Sequence, residues 1–111
     1  MLAAMPEFQQ IELLRDTQFE AYTDRTPVTL EALLKDLRVS AERGWAMDNE
    51  EFLLGVRCLS AAILDRNATP VAAMGISGPA TRMTLTRCRD LGPRILAIAR
   101  RASALLGYKE R

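Results

Sequence analysis

Two short apolar runs, separated by a cluster of turn-forming residues, constrain the fold of this chain more than any other feature. Within the stretch from Gly55 to Pro79 the runs are Val56 to Leu64 and Val71 to Ser77, and residues 65–70 between them read Asp-Arg-Asn-Ala-Thr-Pro. Each run is too short for a buried helix, whereas apolar runs bounded by turn formers are typical of strands. The sequence therefore predicts a β-hairpin with a six-residue loop. Neither face of it is plainly polar, so we expect cover on both sides.

The register of this hairpin follows if Leu64 and Val71 form the last pair before the loop. The expected pairs then include Cys58 with Ser77 and Ser60 with Gly75. They make one face small and weakly polar, a surface on which a small polar molecule could bind. Small residues also allow a helix to pack closely, and the spacing alone favours that alternative. The other face is apolar and is expected to carry the core: Leu59, Ala61, Ile63, Ala72, Met74 and Ile76.

Composition limits the classes of function. With 111 residues and 49% hydrophobic content, the chain is expected to form a single domain spanning residues 1–111. A net charge of +1 gives no reason to expect nucleic acid or a membrane surface as a partner, and the bases concentrated in residues 82–111 indicate a solvated helix face. Cys58 and Cys88 lie in segments expected to be buried, which favours free thiols in a reducing compartment and hence a cytoplasmic protein. Neither a secretory signal nor a membrane span is expected.

Helical spacing of apolar residues indicates three helices around the hairpin. The first is predicted from Leu2 to Leu14, and it is followed by a connecting loop from Asp16 to Val28 with Phe19 and Tyr22 as possible anchors. This helix begins without an N-cap residue, which suggests that it continues from a preceding segment. The second runs from an N-cap at Thr29 to Arg43 and stops at Gly44, and residues 45–48 after it are expected to form a short strand.

The last helix is predicted to be the longest, from an N-cap at Thr84 to Leu106, and to cover the apolar face of the hairpin. Pro93 lies inside it, so we expect a kink or a restart near Gly92. The buried stripe is expected to consist of residues at steps of three and four: Cys88, Leu91, Ile95, Ile98, Ala102 and Leu105.

Three acids close together invite a catalytic or metal-binding interpretation. Asp48, Glu50 and Glu51 offer paired carboxylates that could act as general acid and base or bind a divalent cation. The chain contains no histidine, and such a cluster more often marks a helix N-terminus or a solvated turn. No phosphate loop, paired-cysteine metal motif or serine-histidine arrangement is present either. The sequence therefore predicts that the chain is not an enzyme and has no cofactor.

Several segments of the chain form a pattern with characteristic spacing: residues 1–4 (Met-Leu-Ala-Ala), 21–26 (Ala-Tyr-Thr-Asp-Arg-Thr), 43–51 (Arg-Gly-Trp-Ala-Met-Asp-Asn-Glu-Glu), 55–59 (Gly-Val-Arg-Cys-Leu) and 76–79 (Ile-Ser-Gly-Pro), then Arg82, Thr84 and residues 106–107 (Leu-Gly). Together they resemble the C-terminal part of the effector-binding domain of IclR-type (isocitrate lyase regulator) bacterial transcription factors. The resemblance implies a GAF-like α+β domain, with an antiparallel sheet and helices on both sides, that binds a small organic acid. In such regulators binding changes how a separate helix-turn-helix domain, usually in dimers or tetramers, holds DNA.

The resemblance also implies which residues bind the effector. The pocket positions of the family fall on Asp48, Val56, Cys58, Gly75 and Ser77. Three of these, Cys58, Gly75 and Ser77, also lie on the small face that the hairpin register singles out. Many members of the family have a serine at the position of Gly75, so this chain lacks one hydroxyl group.

Two hypotheses follow for the function of the chain. The DNA-binding domain and the first strands of the effector domain would precede Met1, so this chain is expected not to read DNA by itself. It is then either a ligand-sensing and oligomerisation module of a transcriptional regulator, acting through its own dimers or with a full-length relative, or a truncated structural remnant that no longer binds an effector. A three-stranded sheet with an unpaired edge also predicts weak stability or self-association.

Overall fold

A computed structural model describes residues 1–110 and shows three helices and one three-stranded antiparallel sheet. The helices are α1 (Glu7–Leu14), α2 (Leu30–Arg43) and α3 (Leu85–Leu105), and the strands are β1 (Ala46–Asn49), β2 (Val56–Leu64) and β3 (Pro70–Pro79). The α+β class predicted from the sequence is confirmed. Within residues 1–110 no helix is both long enough and apolar enough to cross a membrane.

The sheet has the order β1-β2-β3, and its central strand fixes the register of both neighbours. Strand β2 pairs with β3 as predicted: Cys58 lies opposite Ser77, and Ser60 lies opposite Gly75. The predicted end of the hairpin is wrong by one residue. The register shifts between Ile63 and Leu64, so that Leu64 faces Pro70 and not Val71.

A side-chain and backbone network shortens the hairpin loop. The amides of Asn67 and Thr69 both donate to Oδ1 of Asp65, at 2.8 and 3.0 Å, and the Asp65 amide donates to the carbonyl of Thr69. Asp65 thus closes the loop as an Asx turn, a structure that aspartate favours. Because this closure lies one residue earlier than the apolar pattern suggests, β3 begins at Pro70.

The core lies between the apolar face of the sheet and α3. Its buried members are Trp45, Leu59, Ala61, Met83, Cys88, Ile95 and Ala99. The prediction that α3 covers this face is confirmed, but the cover is uneven because α3 contacts β2 far more than β3. Ala72 and Ile76, which were expected in the core, are consequently exposed on β3.

Helix α3 presents a different stripe from the one that apolar spacing predicts. Its buried residues are Cys88, Gly92, Ile95, Ala99 and Ser103, so small residues occupy the contact with the sheet and Trp45. Ile98 and Leu105, which were predicted to be buried, are 50% and 88% exposed. Of the kink or restart expected near Gly92, the restart is excluded because the helix continues through Pro93 to Leu105.

Caps define the ends of the two long helices as predicted. The Thr29 side chain accepts a hydrogen bond from the Ala32 amide, and the Thr84 side chain accepts one from the Arg87 amide. Gly44 ends α2 in the left-handed region, at a φ of 87°. The predicted N-terminal helix is instead broken at Pro6: a single 3-10 turn, Leu2–Ala4, precedes α1.

The second face of the sheet carries no helix among the described residues, so the expectation of cover on both sides is wrong here. Helix α3 makes most of the helix contacts with the sheet and lies on its apolar face, whereas α2 contacts only the edge strand β1 to a small extent. On the other face Ala73, Gly75 and Ser77 of β3 are exposed, and Cys58 of β2 is half-buried. Small side chains occur on both faces of the hairpin, and for that reason the sequence does not distinguish a covered face from an open one.

Candidate functional site

The five residues that the resemblance assigns to a pocket all lie on one face of the sheet. Asp48 of β1 pairs with Cys58 of β2, which in turn pairs with Ser77 of β3. Residues directly opposite one another share a face, and so do residues two apart in a strand, which adds Val56 and Gly75. We call this the small-residue face: Ala46, Asp48, Val56, Cys58, Ser60, Ala62, Ala73, Gly75 and Ser77.

Asp48, Cys58 and Ser77 form a row across the three strands. Neighbouring Cβ atoms in such a row lie about 4.5–5.5 Å apart. Partial burial raises the pKa of the Cys58 thiol and the nearby Asp48 carboxylate raises it further, while interaction with the Ser77 hydroxyl lowers it in part. The thiol is therefore protonated at neutral pH. Cys58 and Ser77 contribute two neutral hydrogen-bonding groups to the face, and the raised pKa argues against an activated cysteine nucleophile.

Gly75 stands where backbone atoms of β2 approach closely. A Cβ atom at this position would overlap the carbonyl oxygen of Leu59 and would lie 3.1 Å from Cβ of Ser60. Backbone atoms cannot move aside as a flexible side chain can, so this position accommodates glycine and not a residue with a side chain. The face consequently has a bare stretch of backbone beside Ser60.

The acidic cluster near Asp48 organises the turn between β1 and β2. Asp48 Oδ1 accepts a hydrogen bond of 2.8 Å from the Glu51 amide, and Glu51 Oε2 accepts one of 2.7 Å from the Asn49 amide. Glu50 accepts one of 2.9 Å from the Gly55 amide. Burial raises the pKa of Glu51 despite its hydrogen bond, and the charges of Asp36 and Asp48 add to the rise. The structure thus supports the interpretation of these acids as part of a turn, and no cluster of potential metal ligands is found among residues 1–110.

Arg57 connects this turn to the segment before α3, a role for which the sequence gives no signal. Its guanidinium donates to the carbonyls of Ala80 and Met83 at 3.2 and 3.0 Å and to Oδ1 of Asn49 at 2.8 Å, and it pairs with Glu50 at 3.4 Å. The Arg57 side chain is 12% exposed, so these are largely desolvated contacts. Arg57 therefore fixes β1 and the start of α3 at the Cys58 end of the small-residue face.

The small-residue face is open in the described structure, and a cavity lies beside it. This cavity has a volume of about 340 Å³ and lies between α2, the C-terminal half of β2 and α3. It reaches the small-residue face at Ser60 and Ala62, and Arg100 lines its far side. None of the five residues predicted to bind an effector lines the cavity.

Comparison with known proteins identifies the family. The family model for the C-terminal region of the bacterial transcriptional regulator IclR matches residues 1–104. The chain belongs to the IclR family of bacterial transcriptional regulators. The transcriptional repressor IclR of Escherichia coli K12 is 38% identical over 106 residues, which cover 96% of this chain and 39% of that protein.

Solved IclR-family structures have the same fold. The Thermotoga maritima IclR matches with a TM-score of 0.89 and 33% identity, over 96% of this chain and 43% of that one. The C-terminal domain of the E. coli transcriptional regulator KdgR matches with a TM-score of 0.87 and 32% identity, over 96% of this chain and 65% of that one. This chain therefore spans about 40% of its curated IclR-family relatives and about two thirds of an isolated C-terminal domain.

Proposed function

We propose that this chain is the effector-binding module of an IclR-type transcriptional regulator, and that it binds a small organic acid on the small-residue face. The observation that carries the proposal is the row of Asp48, Cys58 and Ser77 across three strands, with Ser60 and Gly75 in the adjacent row. Hydroxyl, thiol and exposed backbone converge there without a large side chain between them. Such a surface leaves room for a ligand and offers groups that orient it.

The chemistry of the face suits a ligand that carries both hydrogen-bond acceptors and donors. The hydroxyl groups of Ser60 and Ser77 can donate to a carboxylate or carbonyl oxygen, and the Cys58 thiol stays neutral because its pKa is raised. Asp48 bears the one charge on this face, and its Oδ1 accepts a hydrogen bond from the Glu51 amide. Its carboxylate would repel an acid placed directly against it, so we place the ligand carboxylate toward the serines.

The wider role follows from the family. We propose that ligand binding is communicated to DNA through a separate helix-turn-helix domain in the cytoplasm, and that this chain associates with copies of itself or with a full-length relative. No role in catalysis is proposed. The alternative is a structural remnant that keeps the scaffold and has lost effector binding. The open small-residue face favours that alternative, because a ligand there would be covered by protein on one side only.

Thermal unfolding in the presence of pyruvate, glyoxylate and related acids tests the proposal. A ligand at 100 times its dissociation constant stabilises a folded protein by about 2.7 kcal/mol, which raises the unfolding temperature measurably. The response should disappear in Ser77→Ala and persist in Thr69→Ala, which removes an exposed hydroxyl in the hairpin loop. If none of the acids changes the unfolding temperature, the result supports a structural remnant without effector binding. An equal response in both variants would show that the ligand binds elsewhere.

A further inference from the structure

A chain of hydrogen bonds leads from Asp48, at one end of the proposed effector site, to the loop before α2. Asp48 Oδ1 accepts a hydrogen bond of 2.8 Å from the Glu51 amide, and the Glu51 carbonyl accepts one from the Thr26 hydroxyl. The Thr26 hydroxyl oxygen in turn accepts from the amides of Tyr22 and Thr23, at 3.1 and 3.0 Å. The backbone of Glu51 therefore joins a residue of the small-residue face to a loop that lies outside it.

A second set of contacts holds the same loop, residues 21–26, to the β1–β2 turn. The Thr23 hydroxyl donates to the Glu50 carbonyl at 2.6 Å, and the Arg25 guanidinium pairs with the Glu50 carboxylate at 2.7 Å. Within residues 1–110, every hydrogen bond that a side chain of this loop makes outside the loop goes to residues 49–51. The position of loop 21–26 therefore depends on the conformation of the turn.

The turn has a conformation that its hydrogen bonds must maintain. Glu50 has a φ of 56°, in the left-handed region that residues other than glycine adopt only at a cost. Its carboxylate accepts hydrogen bonds from the Gly55 amide at 2.9 Å and from Arg25, and it pairs with the largely buried Arg57. Loss of bonds to the turn would allow Glu50 to return to a commoner backbone region. The turn is therefore an element whose conformation is set by the groups that bond to it.

We propose that the β1–β2 turn transmits effector binding from Asp48 to loop 21–26. This inference rests on the proposed function and names the route by which the occupied site acts on the rest of the molecule. The Glu51 amide occupies Oδ1 of Asp48, and within residues 1–110 no donor bonds to Oδ2. A ligand hydroxyl that donates to Oδ2 fixes the carboxylate in the orientation that also bonds the Glu51 amide. Ligand and loop therefore favour the same conformation of the turn, and each should strengthen the other.

Amide hydrogen exchange without ligand tests whether the turn couples Asp48 to the loop. Asp48→Ala removes the acceptor of the Glu51 amide. It should speed exchange of the Tyr22 and Thr23 amides, which make no hydrogen bond to Asp48, about fivefold or more. Asp48→Asn keeps an oxygen acceptor at the same place and should exchange like the wild type. Unchanged exchange in Asp48→Ala would overturn the proposal, and equal acceleration in both variants would exclude a route through this hydrogen bond.

The reverse effect should also be present, because coupling between two sites is reciprocal. Thr26→Val removes the hydroxyl that bonds to the Glu51 carbonyl and should speed exchange of the Glu51 amide. Thr26→Ser retains a hydroxyl and should exchange like the wild type. The Asn67 amide, which donates to Asp65 in the hairpin loop, should keep its rate in every variant and reports any general loss of stability. The Thr26 variants decide the matter even if Asp48→Ala fails to fold.

Exchange in the presence of glyoxylate separates this inference from the proposed function. Glyoxylate is hydrated in water, so it offers hydroxyl donors beside its carboxylate. If it raises the unfolding temperature, it should slow exchange of the Tyr22 and Thr23 amides, and Thr26→Val should bind it about fivefold more weakly. Stabilisation with unchanged exchange in the loop would overturn the coupling and leave the site in place. If glyoxylate does not stabilise the protein, effector binding fails for this acid, and the ligand-free variants still decide whether the turn couples Asp48 to the loop.

Discussion

Gly92→Ala provides a sharp test of how α3 packs on the sheet. Gly92 is buried in the middle of α3, directly against the indole of Trp45, which is 7% exposed. A Cβ atom at residue 92 would lie 2.5 Å from Cζ2 of Trp45 and closer still to two other ring atoms. Arg43 lies over the indole, 3.9 Å from its centroid, so retreat of the ring is hindered.

The magnitude follows from two opposing effects. Inserting a methyl group into a filled core costs about 1–3 kcal/mol, and a rigid ring favours the upper end of that range. Alanine improves helix propensity over glycine by at most about 1 kcal/mol, and less before Pro93, whose ring disfavours the helical conformation of the preceding residue. Gly92→Ala should therefore lower the free energy of unfolding by about 2 kcal/mol.

Urea unfolding, followed by far-UV circular dichroism and by the fluorescence of Trp45, measures this change. Trp45 is the sole tryptophan, so the emission reports directly on the ring that the methyl group would contact. Ala97→Gly, at an exposed position in the same helix, gives the propensity effect alone and should cost about 1 kcal/mol. If Gly92→Ala instead raises the urea midpoint, the close approach of α3 to Trp45 is wrong.

Three further variants test other contacts. The Leu64 amide of β2 donates a hydrogen bond of 2.9 Å to the Ser103 hydroxyl, so Ser103→Ala should destabilise the protein by about 1–3 kcal/mol and speed hydrogen exchange of the Leu64 amide; an unchanged exchange rate would refute that hydrogen bond. Ile95→Ala should lower the free energy of unfolding by about 2–5 kcal/mol, as measured by urea unfolding. Leu105 is 88% exposed, so Leu105→Ala should be nearly neutral. Equal losses in the two variants would show that α3 packs on the sheet through a different face. The raised pKa of Cys58 leaves less thiolate at pH 8, so iodoacetamide should react slowly with this residue. Asp48→Asn lowers that pKa and should speed the reaction. An unaltered pH dependence of the rate in Asp48→Asn would show that the Asp48 charge does not act on the Cys58 thiol.

The hairpin register was predictable because a strand has a period of two. The apolar runs that contain Cys58 and Ser77 are connected by turn formers, and the pairing of Cys58 with Ser77 places the apolar residues together on one face. The structure has this register as far as the pair that includes Ile63. The loop closure was missed because it depends on hydrogen bonds of Asp65, which shortened the loop by one residue. Local side-chain geometry of this kind has no signature in apolar periodicity.

The stripe of α3 shows why apolar spacing failed in part. Close contact with Trp45 and with β2 requires small residues, so Gly92, Ala99 and Ser103 are buried while larger Ile98 is half exposed. A pattern that ranks residues by hydrophobicity favours the large ones. The candidate site was recognised as a set of residues on one face, through the hairpin register and family resemblance. Whether another element covers this face depends on tertiary packing, and the spacing of residues within one strand carries no information about that packing.

The alkylation rate of Cys58 by iodoacetamide, with and without an organic acid that stabilises the chain, tests the central claim most directly. Cys58 lies in the middle of the small-residue face, and the other cysteine, Cys88, is fully buried and should not react. We predict that saturating pyruvate or glyoxylate, whichever raises the unfolding temperature, protects Cys58 several-fold. If that acid stabilises the protein and leaves the rate unchanged, the ligand binds away from this face and the assignment of the site is wrong.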